Sequence, residues 1–182
     1  MAPQGNYIAD AAILEGTEAI DRDIVRSGMN LLSAGKVKRL FIVLHLIAPS
    51  DRPFAFDENY PDLVKKKMLA LGLKDRDFRI IITHIHNPIT LTAARGAMDI
   101  ISKENVKSAI LLSTGFHTRR SYLIYQYVCI PFQIKIFPYA CVNSYQLDHW
   151  WSQDEGLRDF ATELPKLAYY LARGYIPLKL SY

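Results

Sequence analysis

Seven consecutive residues, Leu40 to Leu46, are apolar except for His45, with no alternation of polar side chains between them. A strand with one wet face alternates. A strand without alternation is covered on both faces, as in a parallel sheet held between two layers of helices. Further apolar stretches fall at Ala11–Leu14, Phe78–Thr83, Ala109–Leu112 and Gln133–Phe137. Segments with helical spacing separate them, which is the pattern of successive βαβ units.

The first helical segment has Thr17 as its expected N-cap, Ile20, Ile24, Gly28, Leu31 and Leu32 on one face, and Gly35 as its stop. A loop from Pro49 to Asp57 leads to a second helix with Leu63, Val64, Met68 and Leu71 inward, ending at Gly72. After Pro88, Thr90 is expected to cap a third helix carrying Leu91, Ala94, Met98 and Ile101. Ser121 to Val128 reads as a buried helix. A last one, about Asp154 to Arg173, has Leu157, Phe160, Leu164, Leu167 and Leu171 as its apolar positions, with Pro165 expected to kink or split it.

Right-handed crossovers make a Rossmann-like, doubly wound α/β fold in three α/β/α layers the expected architecture, with five parallel strands in the order 3-2-1-4-5. All 182 residues are expected to form one domain, with a C-terminal helical extension from about 150 to 182. Ligands of such sheets bind beyond the carboxyl ends of the strands, where the strand order reverses. That rule gathers Glu15, Gly16 and Thr17 after strand one and His45 after strand two. It adds His84, His86 and Thr90 after strand three, and Ser113 to Arg120 after strand four.

The stretch Ser113-Thr114-Gly115-Phe116-His117-Thr118-Arg119-Arg120 carries the strongest local signal. It turns from a buried strand into a helix N-terminus, where unpaired N–H groups and the helix dipole favour an anion. Two arginines stand there, and no acidic residue occurs between Val106 and Leu147. The partner expected is therefore a phosphate-bearing or nucleotide-like small molecule, held by Arg119 and Arg120 with donors from Ser113, Thr114, Gly115 and Thr118. Glu15 would orient a hydroxyl or amine, and His117 would shuttle a proton. The rival reading pairs the arginines with Glu15 or Glu163 and leaves His117 to cap the helix. His84-x-His86 has a usable metal geometry, but no cysteine or longer ligand spacing supports it, so no metal is assigned.

Other classes are set aside on composition. A net charge of +4 is mild, and Lys65-Lys66-Lys67 reads as a solvated helix face, so no nucleic-acid partner is expected. The two cysteines, Cys129 and Cys141, make no framework. The longest apolar run, Leu40 to Ala48, is half of what a membrane helix needs, and the first residues lack a leader pattern, so a cytoplasmic protein without membrane insertion is expected. Phosphate-loop, dinucleotide-binding and nucleophile-elbow motifs are absent from the sequence. Tyr145, Trp150 and Trp151 form an aromatic cluster that lines a pocket or packs.

Four segments, in order, resemble the bacterial SanA/ElyC/YdcF family: Ile13-Leu14-Glu15-Gly16, Thr90-Leu91-Thr92-Ala93-Ala94, the Ser113–Arg120 turn, and Glu163-Leu164-Pro165-Lys166 with its following aromatics. The resemblance implies a Rossmann-like domain of unsettled chemistry, with possible transferase or hydrolase activity. It also implies two alternatives: S-adenosylmethionine as cofactor, as in soluble YdcF-like members, or a non-catalytic factor of envelope biogenesis acting through protein contacts. The chain departs from the family in having Leu44-His45-Leu46-Ile47 after its second strand and one glycine in its first turn.

Overall fold

A computed structural model describes residues 5–16, 20–46, 60–84, 86–142 and 145–177. Five strands form one parallel sheet: β1 (Ala11–Glu15), β2 (Leu40–Leu46), β3 (Phe78–His84), β4 (Ser108–Thr114) and β5 (Lys135–Cys141). Their spatial order is β3-β2-β1-β4-β5, so β1 and β4 are neighbours at the reversal of winding. The helices are α1 (Arg22–Ser33), α2 (Tyr60–Ala70), α3 (Ile89–Ile101), α4 (His117–Cys129) and α5 (Asp154–Ala172).

Alternate residues of the central strands feed two cores. Ala12 and Leu14 of β1 pack with Ile24, Val25 and Leu31 of α1 and with Val64 and Met68 of α2. Ala11 and Ile13 pack on the other side with Leu91, Ala94 and Met98 of α3, Ile124 and Val128 of α4, and Tyr170 of α5. All five residues of β1 are buried, which explains its lack of alternation. Among the described residues no helix is long and apolar enough to cross a membrane.

Three local expectations change. The first helix starts at Arg22, capped by Asp21, whose Oδ1 accepts from the Asp23 and Ile24 N–H groups at 2.6 and 3.4 Å. A carboxylate there also meets the positive end of the helix dipole, so the cap falls at Asp21 and not at Thr17, which lies outside the described residues. The third helix opens after Pro88, whose missing N–H needs no partner, and Thr90 spends its hydroxyl on Arg120 instead of a cap. Strand five begins at Lys135, because Gln133 takes a left-handed conformation, and it runs on through Pro138. An edge strand tolerates that proline, since one row of its backbone groups has no neighbour. The loop expected from Pro49 to Asp57 lies outside the described residues.

Helix α5 is one uninterrupted helix through Pro165. The carbonyl that loses its donor belongs to Ala161, which is exposed and so open to solvent. The expected apolar stripe is buried only in part: Leu167 and Leu171 pack against the core and Phe160 against Phe116 and Trp150. Leu157 and Leu164 are 46% and 50% exposed, and Gly156, Glu163 and Tyr170 are the fully buried positions. The helix lies on a polar floor at the carboxyl end of the sheet, and its buried positions match that floor.

Candidate functional site

Where β1 ends, Gly16 passes tightly beside β2. Its N–H donates to the Val43 carbonyl at 3.0 Å, and a Cβ there would stand 2.7 Å from the same oxygen. The glycine serves close backbone approach, and it leaves the Glu15 side chain buried at the end of the strand.

Facing Glu15 is His117, the first residue of α4. Its Nε2 lies 3.6 Å from Glu15 Oε2 and 3.0 Å from Ser121 Oγ, one turn further along the helix. Its Nδ1 lies 3.2 Å from Glu163 Oε2 and 2.8 Å from Arg120 Nη2. The contact with Arg120 suits a neutral ring, whereas the two carboxylates suit an imidazolium. The charge balance decides for the imidazolium: burial opposes the charge, but Glu15 and Glu163 outweigh it and push the group up from 6.5 to about 9. Glu15 and Glu163 then balance His117 and Arg120, with Lys166 adding a further, half-exposed cation on Glu163.

The carboxylates move the other way. Burial of Glu15 works against its charge, yet the adjacent His117 charge and the nearby Ser121 and Ser113 hydroxyls hold it below the ordinary range. Glu163 is drawn down to about 2: burial again opposes, and His117, Arg120 and Lys166 prevail. Arg120 is fully engaged. Its Nε and Nη2 donate to the two Glu163 oxygens at 3.0 and 3.2 Å, its Nη1 donates to Thr90 Oγ1 at 2.5 Å, and its guanidinium carbon lies 5.1 Å from the Tyr170 ring centre.

Ser121, His117 and Glu163 have the hydrogen-bond order of a hydrolase triad. Ser121 is fully buried inside the helix, however, and no substrate carbonyl reaches its oxygen. It positions the imidazole.

The start of α4 holds a second carboxylate. Asp159 Oδ2 accepts from the Phe116 N–H at 2.9 Å and from the Tyr145 hydroxyl at 2.6 Å. This pairing needs Gly115, which has φ of +41° and where a Cβ would lie 2.0 Å from that oxygen. The ring of Phe116 stacks with Tyr145 and meets Trp150 and Phe160 edge-on.

A cavity of about 760 Å³ opens over this floor, lined by Glu15, His45, Thr90, Thr114, His117 and Arg120 from the sheet side and by Asp159, Glu163, Lys166 and three tyrosines from the C-terminal segment. A smaller cavity of about 380 Å³ adjoins it across Thr114 and Asp159 and includes Gly115. Of the residues singled out by sequence, Glu15, His45, Thr90, Thr114, His117 and Arg120 therefore converge. Four do not. Arg119 is exposed outside both cavities, because adjacent helical residues diverge by about 100°. His84 is exposed at the end of β3 and lines neither cavity. Ser113 is buried, and Thr118 turns its hydroxyl inward onto the Ser113 carbonyl at 3.2 Å. Among the described residues, no group of three or more His, Cys, Asp or Glu side chains is placed to hold a metal.

Sequence reading missed Asp159, Lys166, Tyr169, Tyr170 and Tyr175 as site residues. The spacing Asp159–Glu163–Lys166–Tyr170 follows one face of a helix and was available as a signal, but the neighbouring leucines carry the more conventional pattern. The chain matches no protein-family model, no curated protein and no solved structure.

Proposed function

We propose that this cleft binds a small phosphate-bearing or nucleotide-like molecule and acts on it by acid–base transfer, as a SanA/ElyC/YdcF-like transferase or hydrolase. The observation that carries the reading is the buried His117 imidazolium between Glu15 and Glu163, on the floor of an open cavity at the reversal of the sheet. Ionised groups are expensive to bury, and clusters of shifted titrating groups in a cleft mark functional sites. The four segments that carry the family resemblance each contribute a side chain or a turn to this cluster, which supports the same reading.

In this proposal Arg120 and Lys166 are the anion's partners. Both now bind Glu163, at 2.9 and 3.0 Å. A phosphate brings more charge and three acceptor oxygens, so it replaces that single carboxylate. Water, or an acceptor hydroxyl in a transfer, attacks phosphorus and forms the new P–O bond as the old one breaks. His117 gives its proton to the leaving oxygen and regains one from the attacking oxygen, while Glu15 holds the ring in place.

Inorganic phosphate, sugar phosphates, nucleotides and S-adenosylmethionine titrated against the protein, with melting as readout, test this directly. A phosphate compound raises the melting temperature of the wild type. Lys166→Ala weakens that binding by roughly 1.5–3 kcal/mol, the scale of a charged hydrogen bond, and Arg119→Ala leaves it unchanged. No shift with any of the compounds overturns the proposal.

A further inference from the structure

We infer that the ligand carries a planar heteroaromatic ring, of the nucleobase kind, held at the mouth of the cleft between Pro88–Ile89 and Tyr169–Tyr175; this rests on the small-molecule reading above. Two exposed side chains with large apolar surfaces, Ile89 (43% exposed) and Tyr169 (52% exposed), line this cavity. They come from opposite sides of it, one from the start of α3 and one from α5.

Tyr169 is also fixed in place. Its ring lies 6.1 Å from those of Tyr170 and Tyr175, at 72° and 67°, and Tyr170 and Tyr175 are themselves 5.5 Å apart. Edge-to-face packing of this kind holds a ring rigid at low entropic expense, which makes it a stacking platform for another ring. An aliphatic chain would gain no such geometry from three locked aromatic rings.

Two further features select a nucleobase over a plain aryl group. Asn87 is exposed at the same mouth and offers an amide donor and acceptor side by side, the pair that reads the edge of a base. Deeper in, the half-buried Asp159 lines the cavity, and a carboxylate is suited to the hydroxyls of a ribose. The volume agrees: about 760 Å³ far exceeds the space of one phosphate group and lies in the range of extended ligands. The resulting order runs from ring at the mouth, through sugar, to anionic group beside Lys166, Arg120 and His117.

The test compares adenosine and guanosine monophosphates with ribose 5-phosphate by calorimetric titration of wild type, Tyr169→Ala and Tyr169→Phe. The nucleotides bind the wild type about tenfold or more tightly than ribose 5-phosphate. Tyr169→Ala removes most of that advantage and Tyr169→Phe keeps it, because the platform is the ring and not its hydroxyl. Equal binding of ribose 5-phosphate and the nucleotides to wild type overturns the ring site while leaving the small-molecule reading intact. Binding of neither overturns both. Unchanged nucleotide affinity in Tyr169→Ala, with its melting temperature close to wild type, likewise overturns the ring site.

Discussion

Asp159 and Glu163 stand one turn apart on α5, and each satisfies a different demand of α4. Asp159 takes the Phe116 N–H at the opening of the helix, and Glu163 takes the Arg120 guanidinium. Removing Glu163 leaves a buried cation alone. Glu163→Ala should lower unfolding free energy by about 3–5 kcal/mol, the scale for breaking one side of a buried pair. Glu163→Leu combined with Arg120→Met should cost clearly less than the two single changes added together. Urea denaturation of the four proteins measures this, and strict additivity would show that the pair does not couple.

Gly115 and Asp159 form the second linked pair. Gly115→Ala drives a methyl group into the Asp159 carboxylate and strains a positive φ, so a loss of about 2–4 kcal/mol is expected. The Tyr145 hydroxyl would also lie 2.5 Å from that methyl group, so in an Asp159→Ala, Tyr145→Phe background the same change should cost only the strain, about 1–3 kcal/mol. If the loss is the same in both backgrounds, the carboxylate and the hydroxyl are not what exclude a side chain.

Stability should depend on pH from both sides. His117 has a folded value of about 9, above its ordinary 6.5, so its contribution is complete below about pH 6.5 and disappears as pH rises through 9. Glu163, at about 2 against 4.5, contributes fully above pH 4.5 and is lost as pH falls toward 2. The expected profile is a plateau between these limits. His117→Gln should flatten the alkaline limb, which thermal melts from pH 5 to 10 will show. An unchanged limb would assign it to another group.

Tyr125 carries a hydroxyl that is fully buried and has no hydrogen-bond partner among the described residues. Burial and the nearby Glu15 charge hold it well above its ordinary pKa, so it stays neutral. Tyr125→Phe keeps the ring and removes the unsatisfied oxygen. The substitution should be neutral or stabilising by up to about 1–2 kcal/mol. A loss above 1 kcal/mol in urea titration would reveal a bond that this geometry does not contain.

The sheet was legible because its strands are long apolar runs separated by helix-length segments, and only a few right-handed windings accommodate that order. Glu15, Thr90, His117 and Arg120 were legible as site residues because the strand ends point to them. Their partners were legible only in part: the rival reading offers Glu163 to Arg120, and the structure makes that pair, whereas nothing around Phe116 announces Asp159, 43 residues away. The absence of acids between Val106 and Leu147 suggested an outside anion, but it equally fits an anion brought by α5. Helix α5 was half legible: Phe160, Leu167 and Leu171 do find apolar partners, but its Asp159–Glu163–Lys166 face, which the site required, is not announced by that stripe. Thr17 and Thr90 failed as caps for a local reason: Asp21 and Pro88 stood closer to the first helical turn and met its needs better.

His117 joins the first strand of the sheet to the last helix of the chain. A ribosome therefore releases the sheet and α4 well before the segment that neutralises Arg120. Until that segment arrives, Arg120 has no reason to leave water, and the floor of the cleft cannot pack down around it. Synthesis halted short of Glu163 yields a chain whose sheet end is open and cationic. Closure of this floor therefore waits for α5, which follows every described strand in chain order.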